Sequence, residues 1–235
     1  MRKTRRNADE RRGQPPAFIF DLDGTLVDSV YQHVLAWSDA LERARIELSV
    51  WRIHRRIGMS GGLFLNALAR ETGRKISPQQ AATLQRDHVL AFRRQKNKIR
   101  PLPGAHALLA HLSALNIPWA IATSGRLETA QPSLKRLGVG PDAAIVTRDQ
   151  VAHAKPDPDL FLAAADRLGV NITQTVVVDD SVWDLLAARR ARALGVGLLS
   201  GGYGFDELER AGAYRVYHDP SDLLLHLDEV GVRSL

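Results

Sequence analysis

Four short stretches of this chain gather the residues that can do chemistry. Asp21 and Asp23 end the apolar run of FIFDLDGTLVDS, and Thr123, Ser124 and Gly125 end IPWAIATSG. Lys155 lies in AHAKPDPDLF, and Asp179 and Asp180 end TVVVDDSVWD, with Asp184 four residues further on. Side chains two apart on an extended backbone point the same way, so Asp21 and Asp23 aim two negative charges at one place. Such a pair needs a positive partner. One lysine meets part of that need, and clustered carboxylates without cysteine or paired histidine suit a hard divalent cation, Mg²⁺ rather than zinc. Taken singly, these residues have plainer uses, because Asp and Thr cap helices and fill turns. Their conjunction is the signal.

For the four stretches to meet, the elements that carry them must share an edge. Ala17–Phe20 is apolar at every position, as in a strand buried on both faces of a parallel sheet, and Gly24 then permits a turn. From Val30 to about Lys98 apolar residues recur at three- and four-residue spacing (Val34, Leu35, Leu41; Leu63, Leu65, Leu68), a helical pattern with no strand. After Pro101 helices predicted over Ala105–Leu115, Glu128–Leu137, Asp159–Leu168 and Val182–Ala193 alternate with apolar PWAIATSG, AAIVT, TVVVDDS and VGLLSG. This alternation predicts an α/β fold, a Rossmann-like doubly wound parallel sheet with right-handed crossovers. The first strand joins that sheet, so residues 17–29 and 99–235 form the core and residues 30–98 an inserted helical cap. Parallel strands present their carboxyl ends at one edge, where all four stretches would converge beneath the cap.

Composition bounds the setting. The chain has 235 residues, 45% hydrophobic and 25% charged, which suits a globular fold with one large core and a smaller lobe. It has no cysteine, which excludes disulfides, thiolate catalysis and sulfur-held zinc. No apolar run is long enough to span a membrane and no secretory signal is visible, so a cytoplasmic location is expected. The net charge of +6 is regional: residues 1–100 hold 20 Lys and Arg against 10 Asp and Glu, the remainder 12 against 16. Much of it lies in MRKTRRNADERRGQPP, so residues 1–16 read as a disordered basic tail. Without aromatic or motif support, a nucleic-acid partner is not expected.

In order and separation, the four stretches resemble the motifs of the haloacid dehalogenase superfamily: DLDGT, then Thr123, Lys155, and Asp179-Asp180 with Asp184. The similarity covers nearly the whole chain after the tail. It implies a Rossmann-like core, a helical cap after the first motif, and hydrolysis through an aspartyl-phosphate. Asp21 would be the nucleophile and Asp23 the general acid, then base. Thr123, Ser124 and Gly125 would hold the phosphoryl group, and Lys155 would neutralise charge. The family's Mg²⁺ would be bound by Asp21, Asp23 through its carbonyl, Asp179 and Asp180, with Asp184 just behind them. Dehalogenases of the superfamily lack an aspartate at the position of Asp23, and transport ATPases carry threonine, so Asp23 implies phosphate-ester chemistry.

The cap would choose the substrate. RRIGMSGG, Arg55 to Gly62, resembles the specificity loop of the phosphoglycolate phosphatase and β-phosphoglucomutase branch, which nominates Arg56 and Ser60 for substrate binding. The mutases carry an arginine just after the serine, where this chain has Gly61 and Gly62. His33 matches a mutase histidine that contacts the acid-base aspartate. The expected activity is a Mg²⁺-dependent phosphatase of small phosphorylated metabolites, of phosphoglycolate or sugar-phosphate class, acting as monomer or homodimer. Its rivals are a phosphosugar mutase and a non-catalytic regulatory or nucleic-acid-binding protein using the basic tail.

Overall fold

The computed structural model describes residues 15–232. Most of the basic tail, residues 1–14, lies outside them. In chain order the elements are β1 (Ala17–Phe20), β2 (Val27–Asp28), α1 (Val30–Arg43), α2 (Val50–His54), α3 (Gly61–Thr72), α4 (Pro78–Gln95) and β3 (Arg100–Pro101). They continue with α5 (Ala105–Ala114), β4 (Trp119–Ala122), α6 (Leu127–Arg136), β5 (Ala144–Val146), α7 (Asp159–Leu168), β6 (Thr175–Asp179), α8 (Val182–Ala191), β7 (Leu194–Leu198), α9 (Phe205–Ala211), β8 (Arg215–Tyr217) and α10 (Pro220–Leu225).

Among the described residues the main sheet has six strands in the order β5-β4-β1-β6-β7-β8, all parallel. The order reverses direction at β1, the switch point where open parallel sheets bind ligands. Alternation along β1 sends Phe18 and Phe20 into a core shared with Leu108, Leu112, Ile121, Val176 and Val178. Ile19 turns the other way, into a core with Ala120, Val177, Leu160, Phe161 and Ala187. Helices therefore cover both faces, and β1 buries every side chain. The strand β8 adds an edge that the apolar pattern did not reveal, because three residues carry too little periodicity.

The chain leaves this core through β2 and returns through β3, which pair antiparallel with Val27 opposite Pro101 and Asp28 opposite Arg100. Between them, α1 to α4 bury a cluster of their own that includes Val34, Trp37, Leu41, Ile53, Phe64, Leu68 and Leu84. The entry to α4 is a capping box: Ser77 and Gln80 each accept the other's backbone N–H, with Pro78 in the first turn. Among the described residues, no helix is long and apolar enough to cross a membrane.

Candidate functional site

Register places the chemistry. Phe20 is level with Ile121 on β4 and Val178 on β6, so Asp21, Thr123 and Asp179 leave adjacent strands close together. The Asp21 N–H donates to the Val178 carbonyl at 3.0 Å and the Thr123 N–H to the Val146 carbonyl at 3.0 Å, which fixes both residues at the sheet edge. Lys155 arrives from the loop before α7 and is fully buried there. Its Nζ donates to Asp21 Oδ1 at 2.6 Å and stands 2.7 Å from Asp184 Oδ1 and 3.6 Å from Asp179 Oδ1.

One ammonium thus serves several carboxylates. Burial would discharge Lys155, but Asp184, Asp21 and Asp179 overrule it and hold the ammonium charged well above its ordinary range. Burial pushes Asp21 up to about 7, against the pull of Lys155 and with further push from Asp184 and Asp23. Burial also raises Asp179 and Asp180. Both carboxylate oxygens of Asp179 are buried without a hydrogen-bond partner among the described residues. Oxygens of Asp21, Asp179 and Asp184 lie within 4.8 Å of one another. Orphaned buried carboxylate oxygens beside a surplus of negative charge fit a divalent cation.

Asp180 sits in a cradle at the same edge. Thr25 Oγ1 donates to its Oδ1 at 2.8 Å. Two glycines make room: a Cβ on Gly24, whose φ is +87°, or on Gly201 would come to 2.6 Å from Asp180 Cγ. Ser200 Oγ donates to the Gly24 carbonyl at 2.6 Å, tying the loop after β7 to the loop after β1. Asp184, in the first turn of α8, accepts from the hydroxyl of Ser181, the helix N-cap. Its other oxygen meets Lys155, so it stands with Asp21 and Asp179 around the ammonium.

Asp23 meets different surroundings on the pocket wall. Burial would raise it, but the charge and hydrogen bond of His33 and the hydroxyl of Ser29 outweigh burial and hold Asp23 below the ordinary carboxylate range. His33 Nε2 stands 3.4 Å from Asp23 Oδ1. Thr123 accepts the Gly125 N–H at 3.0 Å on Oγ1, which leaves its own hydroxyl proton for an anion at the strand tips.

The cap closes the pocket from above. Ser124 Oγ donates to the Gly58 carbonyl at 3.0 Å and Trp183 Nε1 to the Arg55 carbonyl at 3.0 Å, so core side chains hold the cap loop. The cavity between them measures about 390 Å³ and is lined from the core by Asp21, Asp23, Thr123 and Arg126 and from the cap by Trp37 and Gln85. Ser60 and Arg56 line it too. Ser60 caps α3 as an acceptor and keeps its hydroxyl proton, and the Arg56 guanidinium pairs with Glu71 and the Arg52 carbonyl. Gly61 and Gly62 open the cap end, where a Cβ on Gly62 would meet nothing within 4 Å.

Sequence reasoning missed His88, Gly201 and Ser200. Gly201 and Ser200 sit in VGLLSG, past a strand tip, which was a usable signal. His88 lies on a helix face among apolar residues, and only the tertiary fold sets it against His33. Trp37, read as packing, is buried and also walls the cavity.

A parallel sheet that presents a buried aspartate, a lysine and further carboxylates at its switch point defines a class of hydrolytic centre, and known proteins place the chain within it. Residues 15–192 match the haloacid dehalogenase-like hydrolase family. The chain is 36% identical over 177 residues to hexitol phosphatase A of Escherichia coli, covering 74% of this chain and 78% of that protein. It is 32% identical over 221 residues to β-phosphoglucomutase of Bacillus subtilis, covering 90% and 92%. The crystal structure of a hydrolase from Pseudomonas syringae superposes with a TM-score of 0.91 at 56% identity, covering 92% of this chain and all of that one. The chain belongs to the haloacid dehalogenase-like hydrolases.

Proposed function

We propose that the protein is a Mg²⁺-dependent phosphatase of small phosphomonoesters, acting through an aspartyl-phosphate. The observation that carries this reading is the division of labour between two aspartates two residues apart. Asp21 lies against the Lys155 ammonium at the floor of the cavity, and Asp23 lies against His33 and Ser29 on its wall. Different surroundings for paired carboxylates support different roles.

In this reading Asp23, ionised in the free protein, takes up a proton when the phosphate dianion lies beside it; an Asp21 oxygen then attacks phosphorus, the P–O bond to the alcohol breaks, and Asp23 gives that proton to the departing oxygen. Asp23 then takes a proton from water, whose oxygen attacks the aspartyl-phosphate and restores Asp21. Lys155 offsets charge on Asp21 and on the phosphoryl oxygens. The Thr123 hydroxyl orients one of those oxygens. Asp21, Asp179 and Asp180, with Asp184 and the Asp23 carbonyl, are the groups that would hold the Mg²⁺. When bound, the ion neutralises repulsion between the carboxylate and the phosphate dianion.

The kinship with hexitol phosphatase A supports a sugar or polyol phosphate, and phosphoglycolate stays within the same class of small esters. Kinship with β-phosphoglucomutase and the contact of His33 with Asp23 favour a mutase as the second reading. Against it, the cap loop has Gly61 and Gly62 where the mutases carry an arginine, and Arg56 is engaged by Glu71. A panel of phosphorylated metabolites with Mg²⁺ decides. Stoichiometric release of inorganic phosphate supports the phosphatase, whereas isomerised substrate that requires a bisphosphate activator would replace it with the mutase.

A further inference from the structure

Behind the aspartate on the cavity wall stands a second histidine. His88 Nε2 faces His33 Nδ1 at 3.1 Å. The two ring centroids are 5.2 Å apart with planes within 19°, so the imidazoles lie edge to edge, close to one plane, as an N–H···N hydrogen bond requires. Each ring is stacked on by an aromatic neighbour. Phe92 stacks on His33 at 3.8 Å and 8°, and Trp37 stacks on His88 at 4.3 Å and 17°. His33 and Trp37 are one turn apart on α1, and His88 and Phe92 one turn apart on α4, so the two helices interleave their rings. The other edge of His33 turns Nε2 towards Asp23.

We propose that His88 is a positioning residue for the acid-base carboxylate, fixing through the His33 ring the N–H that faces Asp23. The inference rests on the role assigned to Asp23 above. Two facing nitrogens form a hydrogen bond only if one of them carries the hydrogen, and Asp23, ionised in the free protein, accepts only. With a single proton, His33 must carry it on Nε2, and His88 then donates to its bare Nδ1. With both nitrogens protonated, His33 donates to a bare His88 Nε2. In either case Nε2–H points at Asp23. The tautomer bearing hydrogen on Nδ1 alone would set a bare nitrogen against the carboxylate, and the stacked rings cannot swing away to relieve it. A partner able both to give and to accept is required at position 88, and histidine is such a partner.

Leaving-group dependence tests this. A p-nitrophenolate departs with little help, whereas phenolate needs a proton, so a disturbed acid shows in phenyl phosphate and much less in p-nitrophenyl phosphate. His88→Phe keeps the stacking and loses the nitrogen. Its kcat/KM on phenyl phosphate, which reads only as far as the step that expels the leaving group and not the hydrolysis of the shared aspartyl-phosphate, should fall about tenfold or more, a part of the 10²- to 10⁴-fold that a placed acid contributes, with kcat/KM on p-nitrophenyl phosphate changed less than about threefold. His88→Gln, whose amide both donates and accepts, should restore most of the loss. His33→Ala combined with His88→Phe should be no slower than His33→Ala alone, because both act through one contact. Equal effects on both esters, or no effect on either, would overturn the proposal.

Asp23→Asn separates failure of the parent reading. If that variant also shows no leaving-group dependence in kcat/KM, Asp23 is not the acid and the premise falls; if it shows the dependence and His88→Phe does not, only the inference falls. Nitrogen-15 spectra of the histidine rings in the unaltered protein provide a readout independent of folding of the variants. Nε2 of His33 should be protonated, and a bare Nε2 there would refute the proposal.

Discussion

Lys155 Nζ lies 2.6 Å from Asp21 Oδ1, a contact across 134 positions of sequence in which neither side chain is more than 8% exposed. A lysine at this depth exists as an ion only because carboxylates surround it, and they in turn tolerate burial because of it. Replacing it with Met leaves Asp21, Asp179 and Asp184 uncompensated. In the metal-free protein Lys155→Met should lower unfolding stability by about 3–5 kcal/mol, the loss typical of breaking a buried ion pair from one side. Urea denaturation in chelator measures it. An unchanged midpoint would mean that the carboxylates find water or protons more easily than the geometry indicates.

Asp21→Asn preserves the shape of the side chain and its position against Lys155 but removes the nucleophilic carboxylate. Phosphate release from any ester the protein hydrolyses should fall to background with Mg²⁺ present. Residual turnover above about a tenth of the unaltered rate would argue against a covalent intermediate. The variant should remain folded, which its thermal transition reports.

Gly201→Ala tests a residue that touches the cluster from outside the four motif stretches. A Cβ there would come to 2.6 Å from Asp180 Cγ, so the carboxylate or the loop after β7 must move. Asp180 would lose its hydrogen bond from Thr25, now 2.8 Å long. Turnover should fall by about 10²-fold, the scale reported for misplacing a positioned group. Gly140→Ala is the control: outside the cavity lining and with nothing within 4 Å of its Cβ, it should stay close to the unaltered rate.

The sheet and the motif stretches were legible in the sequence because each depends on local pattern. Phe18, Ile19 and Phe20 are apolar in succession since both faces of β1 are buried, and Asp21 breaks that run where the strand ends. Strand β8 and the β2–β3 pair were not legible, since two or three residues hold no period. Arg56 shows the other limit. Its place in a glycine-rich loop suggested a free cation, but α3 returns Glu71 to meet it, and that pairing exists only in three dimensions. His88 was hidden for the same reason: its meaning lies in His33, on another helix.

Mg²⁺ should stabilise the fold measurably, because Asp179 has two buried oxygens with no hydrogen-bond partner among the described residues. A ligand at ten times its dissociation constant adds about 1.4 kcal/mol, and a chain of this size gains about 2–4 °C per kcal/mol. A rise in Tm of several degrees, reversed by chelator, is the expected outcome. Asp179→Asn should abolish most of that rise; if the increment is as large in the variant, the ion is held elsewhere.

His88 should make stability sensitive to acid. Burial, followed by the nearby His33, pushes the His88 imidazolium well below its ordinary 6.5, with Asp23 opposing weakly. Its faces meet Trp37 of α1 and its edge meets His33, so it is neutral in the folded protein and free to charge in the unfolded chain. Below the ordinary histidine range the unfolded chain therefore binds one more proton than the folded protein. The contribution is fully present above that range and is lost as pH falls, at up to about 1.4 kcal/mol per pH unit. Urea midpoints of the unaltered protein and of His88→Gln, taken at neutral pH and in steps of acid, should converge as pH drops, because the variant lacks this proton uptake. Parallel curves would show that His88 charges in place, with water reaching it from the cavity.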